Sequence, residues 1–275
     1  MSIQEIVQIL IDSGIEPQEA TVEVKMLIEH FCNYSTVDIL MGRPLDYSKL
    51  EIVRQKAIER AKTRKPIQYI IGKAFFMGDY YKVSESVLIP RDETELVVNS
   101  AIELIKKYKL KKVLDIGSGT GCIACSIAKN TSADVVSVDI SEKALEVAKF
   151  NVEQLNLKNV EFIFSDLFSN LQNRTFDLII SNPPYIPEGT ELQKEVQFEP
   201  RLALFAKGDG TVFYKEIIEK SVTYLNKNGY LVFELGINQS QTVENYFKNN
   251  GFIDIEIEKD LAGIDRIITA RYQQI

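Results

Sequence analysis

The chain has 275 residues, 45% of them hydrophobic and 26% charged, which fits one or two globular domains and excludes a disordered or fibrous chain. Its net charge of −7 argues against wide, sequence-independent nucleic-acid binding, which needs a cationic face. No apolar run approaches the roughly 20 residues of a membrane helix, and Met1-Ser2-Ile3-Gln4-Glu5 lacks the basic segment of a signal peptide; a cytoplasmic protein with no membrane partner is expected.

Residues 1–64 read as a small all-helical domain. Ile3, Ile6, Val7, Leu10 and Ile11 fall on one helical face, with Ser2 and Glu5 as a capping box and Gly14 as a stop. Ala20, Val24, Leu27, Ile28 and Phe31 repeat the pattern after Pro17. A short helix is expected over 35–41 and a longer one through Leu50, Val53, Ala57, Ile58 and Ala61. His30 lies in an amphipathic helix and receives no role. Residues 65–90 change character: Phe75–Met77 and Tyr80–Val83 flank Gly78-Asp79 and predict a β-hairpin linker with that pair as its turn.

Residues 91–275 form the third segment. It opens on a helix with Val97, Ala101, Leu104, Ile105 and Tyr108 on one face, for which Asp92 and Glu95 are the expected cap. Strand-like runs then alternate with helical ones: Val113–Ile116, Val135–Val138, Val160–Phe164, Leu178–Ile180 and Tyr230–Phe233, with helices expected over 141–155 and 211–225. Such alternation predicts an α/β fold with a mostly parallel sheet covered on both faces. Near the end, 253–257 and 266–270 are two strands with no helix between them, so an antiparallel last strand is expected.

The residues suited to chemistry sit where these strands end. Val113–Ile116 runs into Gly117-Ser118-Gly119-Thr120-Gly121, a glycine turn that lets backbone approach a ligand at a helix N-terminus. Cys122 stands where a dinucleotide fingerprint needs its last glycine, and with Asp115 the pattern is D-x-G-x-G-x-G instead. Asp139 ends the second strand, where an acid can accept both hydroxyls of a ribose. Asp166 follows the third strand, placed for an adenine amino group, with Leu167 against the ring. The fourth strand breaks at Asn182-Pro183-Pro184-Tyr185, because proline lacks the N–H and fixes φ. That corner carries an amide, carbonyls without competing N–H groups and an aromatic ring, a set suited to a flat group bearing N–H donors. Cys122 and Cys125 form a C-x-x-C, but His30 is the sole histidine, so the pair reads as two small apolar residues on a buried helix and no metal is expected.

With these motifs the sequence resembles S-adenosylmethionine-dependent methyltransferases acting on a planar amide or exocyclic amine. More closely, it is similar to the glutamine methyltransferases that modify bacterial peptide chain release factors. The likeness runs from about residue 60 onward and includes Arg64–Gly72, Val87–Arg91, Glu93-Thr94-Glu95, Phe198-Glu199-Pro200, Asp209-Gly210 and Leu231–Gly236. Two departures stand out: Asp92 where the family usually has proline, and Ala206-Lys207 where it often has two glycines. The resemblance implies a seven-stranded Rossmann-like methyltransferase sheet with an antiparallel last strand, after a helical domain for substrate recognition. It implies S-adenosylmethionine held by Asp115, Gly117–Gly121, Asp139, Asp166, Leu167 and Asn182, and release factors as protein substrate. Asn182 and Pro183 would accept the two hydrogens of a glutamine amide, beside Pro184, with Tyr185 packed on its plane.

The main alternative is a methyltransferase of adenine amino groups in DNA or RNA, which poses the same geometric problem but needs base flipping or a single strand and a basic surface. A guanine methyltransferase on ribosomal RNA is a minor variant of it. A nucleotide-sensing adaptor would keep the glycine turn without needing Asn182–Tyr185, and Cys122 disfavours a nicotinamide oxidoreductase.

Overall fold

In the computed structural model, residues 2–43 and 46–273 are described, so Met1 and the last two residues of the third segment lie outside them. The chain divides into two compact units: residues up to 73 with 192–198, and residues 74–191 with 199–275.

The first unit is helical: α1 (Ile3–Asp12), α2 (Pro17–Cys32), α3 (Thr36–Leu40), α4 (Tyr47–Thr63) and α5 (Ile67–Ile71). The expected capping box at Ser2 and Glu5 is present, and Ile6, Leu10, Val24, Leu27, Ile28, Val53 and Ala57 are fully buried between α1, α2 and α4. Gly14 takes a left-handed φ of 88° just past α1. Helix α5 was not expected from sequence. It begins after Pro66 and buries Ile67 and Ile71, showing how tertiary contact can hold a single helical turn. Arg60 on α4 is 1% exposed; its Nε donates to both carboxylate oxygens of Glu23 at 3.0 Å, and its Nη1 to Glu195 at 3.0 Å.

Strands β1 (Lys73–Phe76) and β2 (Asp79–Lys82) form a hairpin whose turn is Met77-Gly78, one residue earlier than expected. Both turn residues have positive φ, 49° and 86°, the geometry whose twist matches paired strands. Met77 N–H is also held by Glu95 at 2.6 Å. This register turns Ala74, Phe76 and Tyr81 inward and leaves Phe75 and Tyr80 as an exposed edge-to-face pair.

The main sheet contains β3 (Lys112–Ile116), β4 (Asp134–Asp139), β5 (Val160–Phe164), β6 (Phe176–Ser181), β9 (Leu225–Glu234), β10 (Phe252–Lys259) and β11 (Asp265–Tyr272). Its seven strands run in the order β10-β11-β9-β6-β3-β4-β5, with β11 antiparallel to both neighbours and the other pairs parallel. This is the expected sheet with its antiparallel last strand. Alternation along each strand feeds two cores. Val113, Leu178, Ile180 and Val232 join α6 (Asp92–Tyr108) and α7 (Cys122–Asn130), while Leu114, Ile179, Leu231 and Phe233 join α10 (Val212–Ser221) and α11 (Ser240–Asn249). α8 (Glu142–Gln154), whose N-cap is Ser141, packs against β4, β5 and α7.

Three local expectations change. Helix α6 has Arg91 as its N-cap with no side-chain cap; Asp92 is instead the first helical residue, where the helix dipole favours a carboxylate, and Glu95 holds the hairpin turn. The helix expected over 211–225 stops at Ser221, because Leu225 pairs with Phe176 and belongs to β9. The Ala206-Lys207 departure falls at the end of β8 (Phe205–Ala206), which follows the short α9 (Arg201–Leu204), pairs in parallel with β7 (Ile186–Pro187) and buries Ala206.

Candidate active site

The C-terminal ends of β3, β4, β5 and β6 open on a cavity of about 240 Å³ in the second unit. Gly117, Ser118, Gly119 and Thr120 line it after β3, Asp139 after β4, Asp166 and Leu167 after β5, and Asn182, Pro183 and Pro184 after β6. Val87, Pro90, Arg91 and Thr94 close one side, with Leu202 and Phe213 also in the wall.

The glycine turn is clamped onto β4. The N–H groups of Gly117 and Ser118 both donate to the Val138 carbonyl, at 2.8 and 2.9 Å, and Gly119 N–H donates to Asp139 Oδ2 at 2.9 Å. Asp139 Oδ1 accepts from Ser141 N–H at 2.8 Å. Burial raises the Asp139 carboxyl above its ordinary range, opposed by the Gly119 and Ser141 N–H groups. The carboxylate lines the cavity and keeps acceptor capacity toward it. Leu167 holds a left-handed φ of 49°, and its carbonyl is fixed by Ser165 Oγ at 2.8 Å. Together with Ile116, Val138 and Ile140 it gives the cavity an apolar wall beside an acceptor pair. That combination fits an adenine nucleoside, and hence S-adenosylmethionine.

Three expected site residues lie elsewhere. Asp115 is fully buried behind the turn: Ser137 Oγ donates to its Oδ2 at 2.7 Å, and Oδ1 has no partner among the described residues. Burial, with the nearby Asp139 charge, pushes its pKa up to about 7 against the Ser137 bond. It braces the turn through Ser137, which also pairs with Ser118 Oγ at 2.7 Å, and does not line the cavity. Gly121 is also outside the lining. A Cβ there would stand 3.1 Å from both Ala148 and Phe162, so its bareness serves the packing of α7 on α8 and β5.

Tyr185 is the third. Its hydroxyl donates to Glu234 Oε1 at 3.3 Å, its carbonyl accepts from Gln239 Nε2 at 3.0 Å, and burial raises its pKa above the ordinary tyrosine value. These bonds anchor the corner, and the partly buried ring packs beside the core without lining the cavity. Cys122 and Cys125 are buried free thiols, with burial pushing Cys122 up to about 12.

Asn182 sits at the cavity with its orientation set from behind. Its Nδ2 donates to Thr94 Oγ1 at 3.2 Å, and Thr94 Oγ1 donates to Glu234 Oε2 at 2.6 Å. Glu234 ends β9 and is buried; burial pushes its pKa up to about 7 against the hydrogen bonds from Thr94 and Tyr185. The sequence by itself assigns no role to Thr94 or Glu234. The available signal was Glu234 itself, a charge ending the apolar run 230–233 at the mouth of a parallel strand.

Comparison with known proteins accords with this geometry. Residues 94–199 match the Methyltransferase small domain family and residues 3–72 the PrmC N-terminal domain family. The release factor glutamine methyltransferase of Fusobacterium nucleatum is 42% identical over 244 residues, 87% of this chain and 69% of that protein. Its counterpart from Geobacter sulfurreducens is 39% identical over 268 residues, 95% and 92% of the two chains. Among solved structures, a ribosomal protein L11 methylase from Lactobacillus delbrueckii aligns with a TM-score of 0.51 over 68% of this chain and 82% of its own, at 18% identity, a likeness of fold alone. Identity of 39% over nearly the whole of both chains in the second case, and 42% over more than two thirds of the relative in the first, on a sheet whose strand ends carry the glycine turn, Asp139 and Asn182–Pro184, means that the chain belongs to the release factor glutamine methyltransferase family.

Proposed function

We infer that this protein transfers a methyl group from S-adenosylmethionine to the side-chain amide nitrogen of a glutamine in peptide chain release factors. The observation that carries this reading is the Asn182 amide at the cavity, anchored through its nitrogen on Thr94. Family membership supplies the substrate class. Release factors act in translation, so the enzyme works in the cytoplasm. The helical unit serves recognition of the protein substrate, and the acidic net charge of −7 supports a protein rather than a nucleic-acid partner.

S-adenosylmethionine, when bound, supplies a methyl group on a sulfonium leaving group. Gly117–Thr120, Asp139, Asp166 and Leu167 are the residues that would hold it. An amide nitrogen is a poor nucleophile because its lone pair is delocalised into the carbonyl, so the protein must orient it and favour the positive charge that grows on it. Asn182 Oδ1 and the Pro183 carbonyl are acceptors for the two amide hydrogens. Accepting both holds the amide plane so that the nitrogen lone pair faces out of it toward the methyl, and supports the positive charge that grows on nitrogen, while the proton the nitrogen loses on methylation passes to solvent. Proline at 183 and 184 leaves no backbone N–H at the corner to compete for these acceptors.

The test is transfer of labelled methyl to release factor, DNA and ribosomal RNA side by side. One methyl on a release-factor glutamine is expected, with Asn182→Ala slowing single-turnover transfer about 10²–10³-fold while cofactor affinity is kept. Label in nucleic acid and none in protein would overturn this reading in favour of an amino-group methyltransferase of bases.

A further inference from the structure

An asparagine amide can sit either way round, and only one way puts its oxygen at the substrate. The donor inventory behind Asn182 removes that freedom. Thr94 has a single hydroxyl hydrogen, which it gives to Glu234 Oε2 at 2.6 Å. Its oxygen is then acceptor only, so the Asn182 group facing it must be the NH₂, at 3.2 Å, which leaves Oδ1 as the acceptor for the cavity. The other carboxylate oxygen, Oε1, takes the Tyr185 hydroxyl, which fixes Glu234 from the opposite side. Thr94 is 3% exposed and Glu234 1%, so water does not substitute for either contact.

We propose that Thr94 and Glu234 are positioning residues for methyl transfer, which hold the Asn182 amide with its oxygen toward the substrate by committing the threonine hydroxyl to the carboxylate. This rests on the functional reading above and deepens it, because it supplies the reason for a buried acid at the end of β9. Neither residue touches the substrate amide; both act through Asn182.

The relay works only with Glu234 ionised. A proton on Oε2 would make the acid the donor to Thr94, releasing the threonine hydrogen toward Asn182 and allowing the amide to turn over. Several groups face this carboxyl: Thr94 and Glu93 from α6, Tyr185 from the corner and Arg266 from β11, while the Tyr214 hydroxyl from α10 bonds the Glu234 carbonyl at 2.9 Å. Arg266 favours the charged form and Glu93 opposes it, and burial dominates both, holding the titration near neutrality.

Two measurements on the full chain test this. In ¹⁵N spectra of the parent protein, the side-chain amide signals of Asn182, identified by their loss in Asn182→Asp, should titrate with a midpoint near 7 and become pH-independent in Glu234→Gln. Signals that do not move between pH 5.5 and 8.5 in the parent would overturn the proposal, whatever the methyl acceptor proves to be. In single-turnover transfer to release factor, Thr94→Val should lose about a hundredfold in rate, the scale on which misplacing a reacting group acts. Its KM for release factor and its cofactor Kd should hold, and Thr94→Ser should restore most of the rate. A Thr94→Val enzyme at the parent rate, or one losing cofactor affinity in step with rate, overturns the positioning role. If the parent transfers no methyl to release factor, the functional reading fails while the amide titration still decides whether the relay exists.

Discussion

Asp139 joins two segments by holding the Gly119 and Ser141 N–H groups, and it presents its remaining lone pairs to the cavity. Asp139→Ala should weaken S-adenosylmethionine binding by about 1.5–3 kcal/mol for each hydrogen bond lost to the carboxylate; calorimetry showing an unchanged Kd would remove it from the site. Asp115 behaves differently because it is fully buried and does not line the cavity. Its folded pKa of about 7 lies above the unfolded value of about 3.9. Between those values the folded state binds a proton that the unfolded state has released. Stability from this group is therefore full below pH 4 and lost as pH rises through 7. Asp115→Asn should flatten that part of a melting-temperature profile, with Glu234 leaving a residual slope of the same sign; a profile as steep as the parent's would contradict the assignment. At this scale the sequence reveals residues whose role follows from standing at a strand end, such as Asp139 and Asn182. It hides roles that depend on distant partners: Thr94 meets Asn182 across 88 residues and Glu234 across 140.

The elements were legible wherever period and caps agreed, as in the five parallel strands, α1 and α8. Single-residue register was not, and the hairpin turn shows why. A Gly-Asp pair signals a turn, but the choice between Met77-Gly78 and Gly78-Asp79 is made by which face buries Ala74, Phe76 and Tyr81. The loop before α10 offers a sharper case. Gly210 has a φ of 88°, and a Cβ there would lie 2.2 Å from the Tyr185 carbonyl. Gly210→Ala should therefore cost well over the ~1 kcal/mol of a left-handed alanine and reduce methyl transfer by pushing on the corner. Gly251→Ala is the control, with a φ of 79° and open space around its Cβ. It should show the strain alone in thermal melts and full transfer in the assay. Equal losses for both variants would mean that the contact with Tyr185 is unimportant.

Over the whole molecule, the α/β class and the antiparallel finish followed from the alternation of strands and helices, while the return of residues 192–198 to the helical unit had no sequence signal. That return is fixed by Arg60, which bridges Glu23 and Glu195, together with Arg64, which also pairs with Glu195. Burial raises the Glu23 pKa, against the hydrogen bond from Arg60. Arg60→Ala leaves that carboxylate buried without its partner and should lower the stability of the helical unit by about 3–5 kcal/mol. If this unit recognises release factor, the same variant should raise the KM for protein substrate and leave the cofactor Kd unaltered; a KM equal to the parent's would separate the unit from recognition.

The same bridge imposes an order in time. Glu23 lies 37 residues before Arg60, and Glu195 lies 135 after it. On a ribosome adding about 5–20 residues per second, the guanidinium waits on the order of ten seconds for its second partner. Glu195 leaves the exit tunnel only after the Asn182–Tyr185 corner has been made. The helical unit of each newborn molecule is thus finished by a carboxylate that arrives after residues 182–185 and before Glu234, the acid that later holds their orientation.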